Sequence, residues 1–149
     1  MPILIYVNDQ KWKYTITAGL LGLGWFVVLL IPSMTREWLA ENTLMNMVYL
    51  IAASVLIARL GRKYIGRAET FGGHFLRALL LPYLGTIIFL TLWNVQIWSK
   101  TLLFGGLANL HDTFSLYYMG LVAVTVSLYV VIPYGLFCQY TMQRFYFPG

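Results

Sequence analysis

Two long segments without a single charged side chain constrain this chain more than any other feature. Residues 14–32 and 116–139 contain no Asp, Glu, Lys or Arg. A helix rises about 1.5 Å per residue, so about 20 apolar residues cross a hydrocarbon core roughly 30 Å thick. Only 10% of the residues are charged, whereas soluble domains carry roughly 25%, so the chain lacks the polar surface that water requires. We therefore predict an integral membrane protein.

Two further apolar runs, residues 43–60 and 76–98, complete the pattern. The sequence predicts an all-α bundle of about four transmembrane helices that forms one domain over residues 1–149. Ser33–Asn42 is expected to be an external loop with Trp38 at the membrane interface. Residues 101–115 mix glycines and polar residues with a short apolar run, and an interfacial segment, a re-entrant loop and a plain loop all remain open there.

The orientation of the predicted spans follows from the basic residues. With four spans, eight cations share a side with the two termini, and only Arg36 and Lys100 lie on the other. Cytoplasmic loops carry an excess of Lys and Arg, so both termini are expected in the cytoplasm. The host membrane is expected to be the bacterial inner membrane, with an organellar membrane as the alternative. The eight cations are Lys11, Lys13, Arg59, Arg62, Lys63, Arg67, Arg77 and Arg144.

Five of these cations lie in the stretch Arg59–Arg77, which we expect to be a basic cytoplasmic loop. Juxtamembrane cations attract anionic lipids by on the order of 1 kcal/mol each. The stretch therefore has two readings, a topology signal or a site for anionic lipid headgroups. The candidate headgroup residues are Arg59, Arg62, Lys63, Arg67 and Arg77.

Small residues mark the helix faces expected to pack. They let helix backbones approach closely, which is how helices associate in lipid. At about 100° per residue, a seam forms on the first and fourth spans, and an arc on the third gathers Pro82, Gly85, Thr86, Phe89, Trp93 and Gln96. The seam predicts contact within the chain or with a partner. It consists of Ala18, Gly22, Gly120, Ala123 and Ser127.

Residues suited to catalysis or cofactor binding are few. His74 and His111 fall on opposite sides of the predicted membrane, so they cannot ligate one haem. His111 and Asp112 are adjacent and more typical of a polar loop than of an acid–base pair. Cys138 lies in an apolar segment, where a thiol is inert. No acidic residue falls at the centre of a predicted span, which argues against ion coupling. We expect no catalytic residue, cofactor or metal.

These observations favour two functions. The first is a non-catalytic subunit that packs in a larger or homo-oligomeric membrane complex. The alternative is a protein that binds or carries an anionic lipid or lipid-linked substrate through residues 59–77. Expected partners are membrane lipids and a membrane protein or further copies of the chain. Nucleic acid is not expected, because the cations lie at the ends of apolar runs rather than along one face.

Overall fold

The structure is a computed structural model that describes residues 2–66, 70–104 and 110–144. Every regular element in these ranges is a helix. Three helices are long and apolar enough to cross a membrane, and there are four spans if one bent helix pair counts as a broken span. The elements are α1 (Pro2–Leu29), α2 (Ser33–Glu41), α3 (Thr43–Leu60), α4 (Arg62–Gly66), α5 (Phe71–Phe104), α6 (Leu110–Val126) and α7 (Leu128–Arg144).

Helices α1, α3, α5 and α7 form the bundle. Helix α1 packs against α3 and α7, and α5 packs against α3 and α7. The Tyr14 hydroxyl donates to the Ala58 carbonyl at 2.8 Å, so the middle of α1 meets the end of α3. Met142 near the end of α7 joins the same buried cluster. His74 near the start of α5 lies against Tyr140 of α7, with ring centroids 4.6 Å apart.

These contacts bring several charged parts of the chain together. Arg59 donates to the Thr15 hydroxyl across α3 and α1 at 3.4 Å. We call this end of the bundle, where α5 begins, α3 and α7 end and α1 passes at Tyr14, the basic end. The opposite end, where α2 lies, is the far end. The described cations at or next to the basic end are Lys11, Lys13, Arg59, Arg62, Lys63, Arg77 and Arg144.

Several span boundaries predicted from the sequence differ from the ends of the helices. Helix α3 has the bounds predicted for the second span, whereas α5 extends the predicted 76–98 to Phe71 and Phe104. The hydroxyls of Ser99 and Thr101 bond to carbonyls one turn earlier, at 2.7 and 2.9 Å, which lets these polar residues continue the helix. Much of the stretch Arg59–Arg77, which the sequence predicts to be a basic loop, is helical. It lies in the end of α3, in α4 and in the start of α5.

The segment Ser33–Asn42, expected to be a loop, forms helix α2 over Ser33–Glu41. Thr35 and Leu39, four residues apart, are buried on one face of α2. Trp38 stacks on Trp93 of α5, with ring centroids 5.8 Å apart. The side chains on one face of α2 thus pack against the bundle, which explains why it is helical despite its polar composition.

The predicted fourth span, residues 116–139, is not one straight helix. Helices α6 and α7 meet at Ser127 with a bend of 82°. The Ser127 N–H is shared between the Ala123 and Val124 carbonyls at 3.0 and 3.1 Å, and the regular ladder is interrupted there. The pair still passes from the far end to the basic end, because Tyr117 of α6 meets Thr91 and Tyr140 of α7 meets His74.

Of the predicted loop 101–115, residues 101–104 belong to α5 and residues 110–115 to α6. Residues 105–109 lie outside the described part of the chain, so the choice between an interfacial, re-entrant or plain loop there stays open.

Candidate functional site

A cavity of about 260 Å³ runs through the bundle and is the main candidate site. At the far end it is lined by Trp38 and Leu39, and at the basic end by Ala58 and Met142. Its wall comes from α1, α2, α3, α5, α6 and α7 and is mostly apolar. No charged residue lines it in the described part of the chain. A dry apolar cavity of about 150 Å³ already binds benzene, so this one has room for a larger apolar group.

The cavity exists because small residues surround it. Eight Ala and Gly residues contribute to the wall, and none of them has side-chain atoms beyond Cβ to fill the interior. Four come from α1, α3 and the start of α5, and four from the remainder of α5, α6 and α7. They are Ala18, Ala53, Ala58, Ala78, Gly85, Gly120, Ala123 and Gly135.

The position of α7 depends on two close contacts. A Cβ at Gly135 would lie 2.9 Å from the Ala78 carbonyl oxygen, so α7 touches the backbone of α5 there. On its other side, the Tyr134 hydroxyl donates to the Leu21 carbonyl of α1 at 2.8 Å. Gly24 leaves the space that this hydroxyl occupies. Helix α7 is thereby held between α1 and α5 and forms one wall of the cavity.

Polar atoms without partners mark two places in the bundle. Within the described residues, His74 Nδ1, Gln139 Oε1 and Ser127 Oγ are buried and have no hydrogen-bond partner. Gln139 lines the cavity and is only 4% exposed, and His74 is 5% exposed. Leaving such an atom unpaired costs roughly 1–3 kcal/mol, so each calls for an explanation.

At the far end the buried polar groups are satisfied. Asn46 is 1% exposed and donates to the Leu39 carbonyl at 2.9 Å. Its own amide oxygen accepts a bond from the Trp93 indole at 2.8 Å. Tyr49, one turn along α3, donates to Gln96 of α5. This network closes the far end without offering a free polar group at the residues named.

The structure places four of the five candidate headgroup residues around the basic end. Arg59 follows the cavity residue Ala58, and Arg77 precedes the cavity residue Ala78. Arg62 and Lys63 belong to α4, which lies against α7. Arg67 lies outside the described residues.

The five seam residues occupy contacts within the chain. A Cβ at Gly22 would lie 2.8 Å from Ile51 Cα of α3, and one at Gly120 would lie 2.6 Å from Leu90 Cδ1 of α5. Ala18 and Ala123 line the cavity. Ser127 lies at the break between α6 and α7 and is fully buried. Association of these positions with a partner chain stays a prediction.

The residues considered for chemistry, His74 apart, are found on α6 and α7. Cys138 lines the cavity as a free thiol. His111 and Asp112 fall in the first turn of α6, and their side chains lie outside the described part of the structure. Among the described residues, no three His, Cys, Asp or Glu side chains form a group that could hold a metal ion.

The sequence analysis does not predict the cavity or the unpaired polar atoms of Gln139 and His74. In the sequence, Gln139 is only the last residue of a predicted span, and His74 is considered only as a haem ligand. A polar residue within an apolar run, such as Gln139, is a sequence signal that can indicate a functional position. The spacing that brings these two side chains to one level, however, depends on how α5 and α7 pack.

Comparison of the chain with protein-family models, curated proteins and solved structures found no match. The class of this protein follows from its fold. The chain is an all-helical protein whose helices are long and apolar enough for three to four membrane spans.

Proposed function

We propose that this protein is a non-catalytic membrane protein that binds the hydrocarbon part of a membrane lipid, or of a lipid-linked substrate, in the interhelical cavity. The observation that carries the proposal is the cavity itself, about 260 Å³ with a mostly apolar wall that reaches from one end of the bundle to the other. Ligand sites in proteins are commonly apolar clefts with a few polar groups. A hydrocarbon chain matches this shape and chemistry.

The charges of the bundle support the same proposal. We propose that the basic end faces the cytoplasm, with both termini on that side, in a bacterial inner membrane. Cations at that surface attract anionic lipids by on the order of 1 kcal/mol each. They would hold the basic end of the cavity at the level of the lipid headgroups. Transport of ions would need charged groups within the spans, and the cavity wall described here has none.

Filling the cavity tests the proposal. Ala123 lines the cavity from α6, and Val126 on the same helix is 59% exposed. In native mass spectrometry from mild detergent, wild-type protein should carry bound lipid. Ala123→Phe should lose most of it, because the ring occupies the cavity, whereas the control Val126→Phe should keep it. Equal lipid occupancy in the two variants would contradict the proposal.

A non-catalytic subunit of a larger or homo-oligomeric complex is our second proposal. It is favoured by the outer surface of α6, where Phe114 and Tyr118 are 72% and 71% exposed although aromatic. Such a surface can face lipid or a neighbouring helix. In the same mass spectra, a second protein chain at fixed stoichiometry would support the subunit role, and a lipid-bound monomer would contradict it.

A further inference from the structure

Two buried polar side chains, His74 and Gln139, lie near the basic end of the bundle, and Gln139 lines the cavity there. Helices α5 and α7 are antiparallel and touch where Ala78 meets Gly135. One turn from that contact towards the basic end lie His74 on α5 and Gln139 on α7. The contact between the His74 and Tyr140 rings, 4.6 Å apart, confirms this register. His74 and Gln139 therefore lie at the same level, and Gln139 forms part of the cavity wall.

Both side chains have an atom in need of a partner. His74 Nδ1 and Gln139 Oε1 are buried and make no hydrogen bond within the described residues. Their neighbours at this level supply no such bond: Tyr140 offers its ring to His74, and Met142 is an apolar part of the core. An unsatisfied amide in the wall of an apolar cavity, with a second unsatisfied polar atom at the same level of the bundle, is the arrangement expected of a site that holds the polar end of an amphiphile.

The hydrogen-bonding capacity of Gln139 and His74 determines which polar group of a ligand can satisfy them. A hydroxyl both donates and accepts, so it can satisfy an amide in either orientation together with an imidazole nitrogen that donates or accepts. An ionised sulfate or phosphate only accepts, which leaves the amide oxygen unpaired. An ether oxygen also only accepts.

We propose that the cavity binds a neutral amphiphile whose hydrocarbon part fills the apolar interior and whose hydroxyl group lies between Gln139 and His74. The inference rests on the proposed function, because it names the ligand class of the same cavity. It adds that hydrogen bonding at this end, rather than the charge of the surrounding arginines, selects the ligand. Lipid alcohols of any source share this chemistry.

Photolabelling can test the ligand class. The probes are three amphiphiles with the same diazirine-bearing hexadecyl chain, which end in a hydroxyl, a methyl ether or a sulfate. Each is added to the protein in phosphatidylcholine vesicles, and labelled peptides are identified by mass spectrometry. The alcohol should label cavity-lining peptides about fivefold to tenfold more than the ether or the sulfate, because this ratio corresponds to about 1–1.4 kcal/mol, the contribution of one net hydrogen bond.

Variants connect the preference to the two side chains. Gln139→Leu should remove the preference for the alcohol while labelling by the ether persists, which shows that the cavity is intact. His74→Phe, which keeps a ring against Tyr140, should weaken the preference too and decides the matter if Gln139→Leu does not fold. The control is Thr141→Val, because the Thr141 hydroxyl bonds to the Phe137 carbonyl of its own helix at 2.8 Å. It should keep the wild-type preference.

The outcomes separate this inference from the proposed function. Equal labelling by the alcohol and the ether, or a preference unchanged in both variants, would overturn the hydroxyl site and leave chain binding in place. Strongest labelling by the sulfate would overturn it in favour of charge recognition at the basic end. If none of the three probes labels the cavity, the proposed function itself fails.

Discussion

At the scale of single residues, Asn46 connects three helices. Its amide nitrogen donates to Leu39 of α2, and its amide oxygen accepts from Trp93 of α5. Hydrogen bonds between membrane helices contribute on average about 0.6 kcal/mol, and up to about 1.7. The cost of leaving a buried partner unpaired is higher. Asn46 and Gln139 thus differ. The chain supplies hydrogen-bond partners for both amide atoms of Asn46, whereas Gln139 Oε1 has none within the described residues.

The hydrogen bonds of Asn46 should stabilise the bundle. Asn46→Leu should lower the free energy of unfolding by about 1–3 kcal/mol, because the Leu39 carbonyl and the Trp93 indole lose their partner. Asn94→Leu is the control, because the Asn94 amide donates only to the Leu90 carbonyl of its own helix, at 3.0 Å, among the bonds described. It should cost less than about 1 kcal/mol. Unfolding in a denaturing detergent measures both, and equal losses would contradict the role of Asn46.

At the scale of helices, the break at Ser127 lets two halves of one predicted span perform different tasks. Helix α6 packs along the far half of α5, where the hydroxyls of Tyr117 and Thr91 lie 2.8 Å apart. Helix α7 packs between α1 and α5. A straight helix could not do both, because the two directions differ by 82°. The bend leaves space between the helices, and the residues Val124 and Val131 on either side of it line the cavity.

The contact between α6 and α5 depends on Gly120. Gly120→Leu should separate the two helices, because even a Cβ there would lie 2.6 Å from Leu90 Cδ1. Cysteines introduced at Thr91 and Tyr117 should be cross-linked efficiently by a short bismaleimide in the parent and poorly when Gly120→Leu is added; a cross-linker is needed because the tyrosine side chain spans more than a disulfide does. Val126→Leu, on the exposed side of α6, should leave the yield unchanged. Unchanged yield with Gly120→Leu would show that α6 is held by other contacts.

At the scale of the whole molecule, seven of the nine described cations lie at or next to the basic end, whereas Arg36 and Lys100 lie towards the far end. The antiparallel path of α1, α3, α5 and the α6–α7 pair brings Tyr14 of α1, Ala58 of α3 and Met142 of α7 into one buried cluster. The sequence predicts the same grouping of cations for an even number of spans, and the membrane surface at which the two termini lie stays a prediction.

Cysteine accessibility tests the orientation. Single cysteines at Ser33, next to the far end, and at Thr70, next to the basic end, should react differently with a membrane-impermeant reagent in intact cells. Ser33 should be labelled from outside, and Thr70 only after the membrane is permeabilised, because cations stay on the cytoplasmic side. Gly149→Cys reports the carboxyl terminus in the same way. Labelling of Thr70 in intact cells would reverse the assignment.

The helices themselves could be predicted largely from hydropathy. The bounds predicted for the second span coincide with α3, because Glu41 and Asn42 precede this mostly apolar segment and Gly61 and Arg62 follow it. The third-span arc also faces inward, since Pro82, Gly85, Thr86 and Phe89 line the cavity. Helix α2 and the break at Ser127 could not be predicted. Helix α2 is stabilised by Leu39 and Trp38 against the bundle, and Ser127 has no proline or glycine beside it in the sequence.

The amino-acid sequence by itself determined the helical, membrane-compatible character of the chain, since long charge-free runs leave few other ways to satisfy backbone hydrogen bonds in an apolar setting. It also determined which charges share an end, because that depends only on the order of spans. The tertiary structure determined the cavity and the placement of Gln139 and His74 at the same level of the bundle. They depend on how closely the helix backbones approach at Gly135 and on the direction of α7 after Ser127, and these arise from contacts between residues distant in sequence.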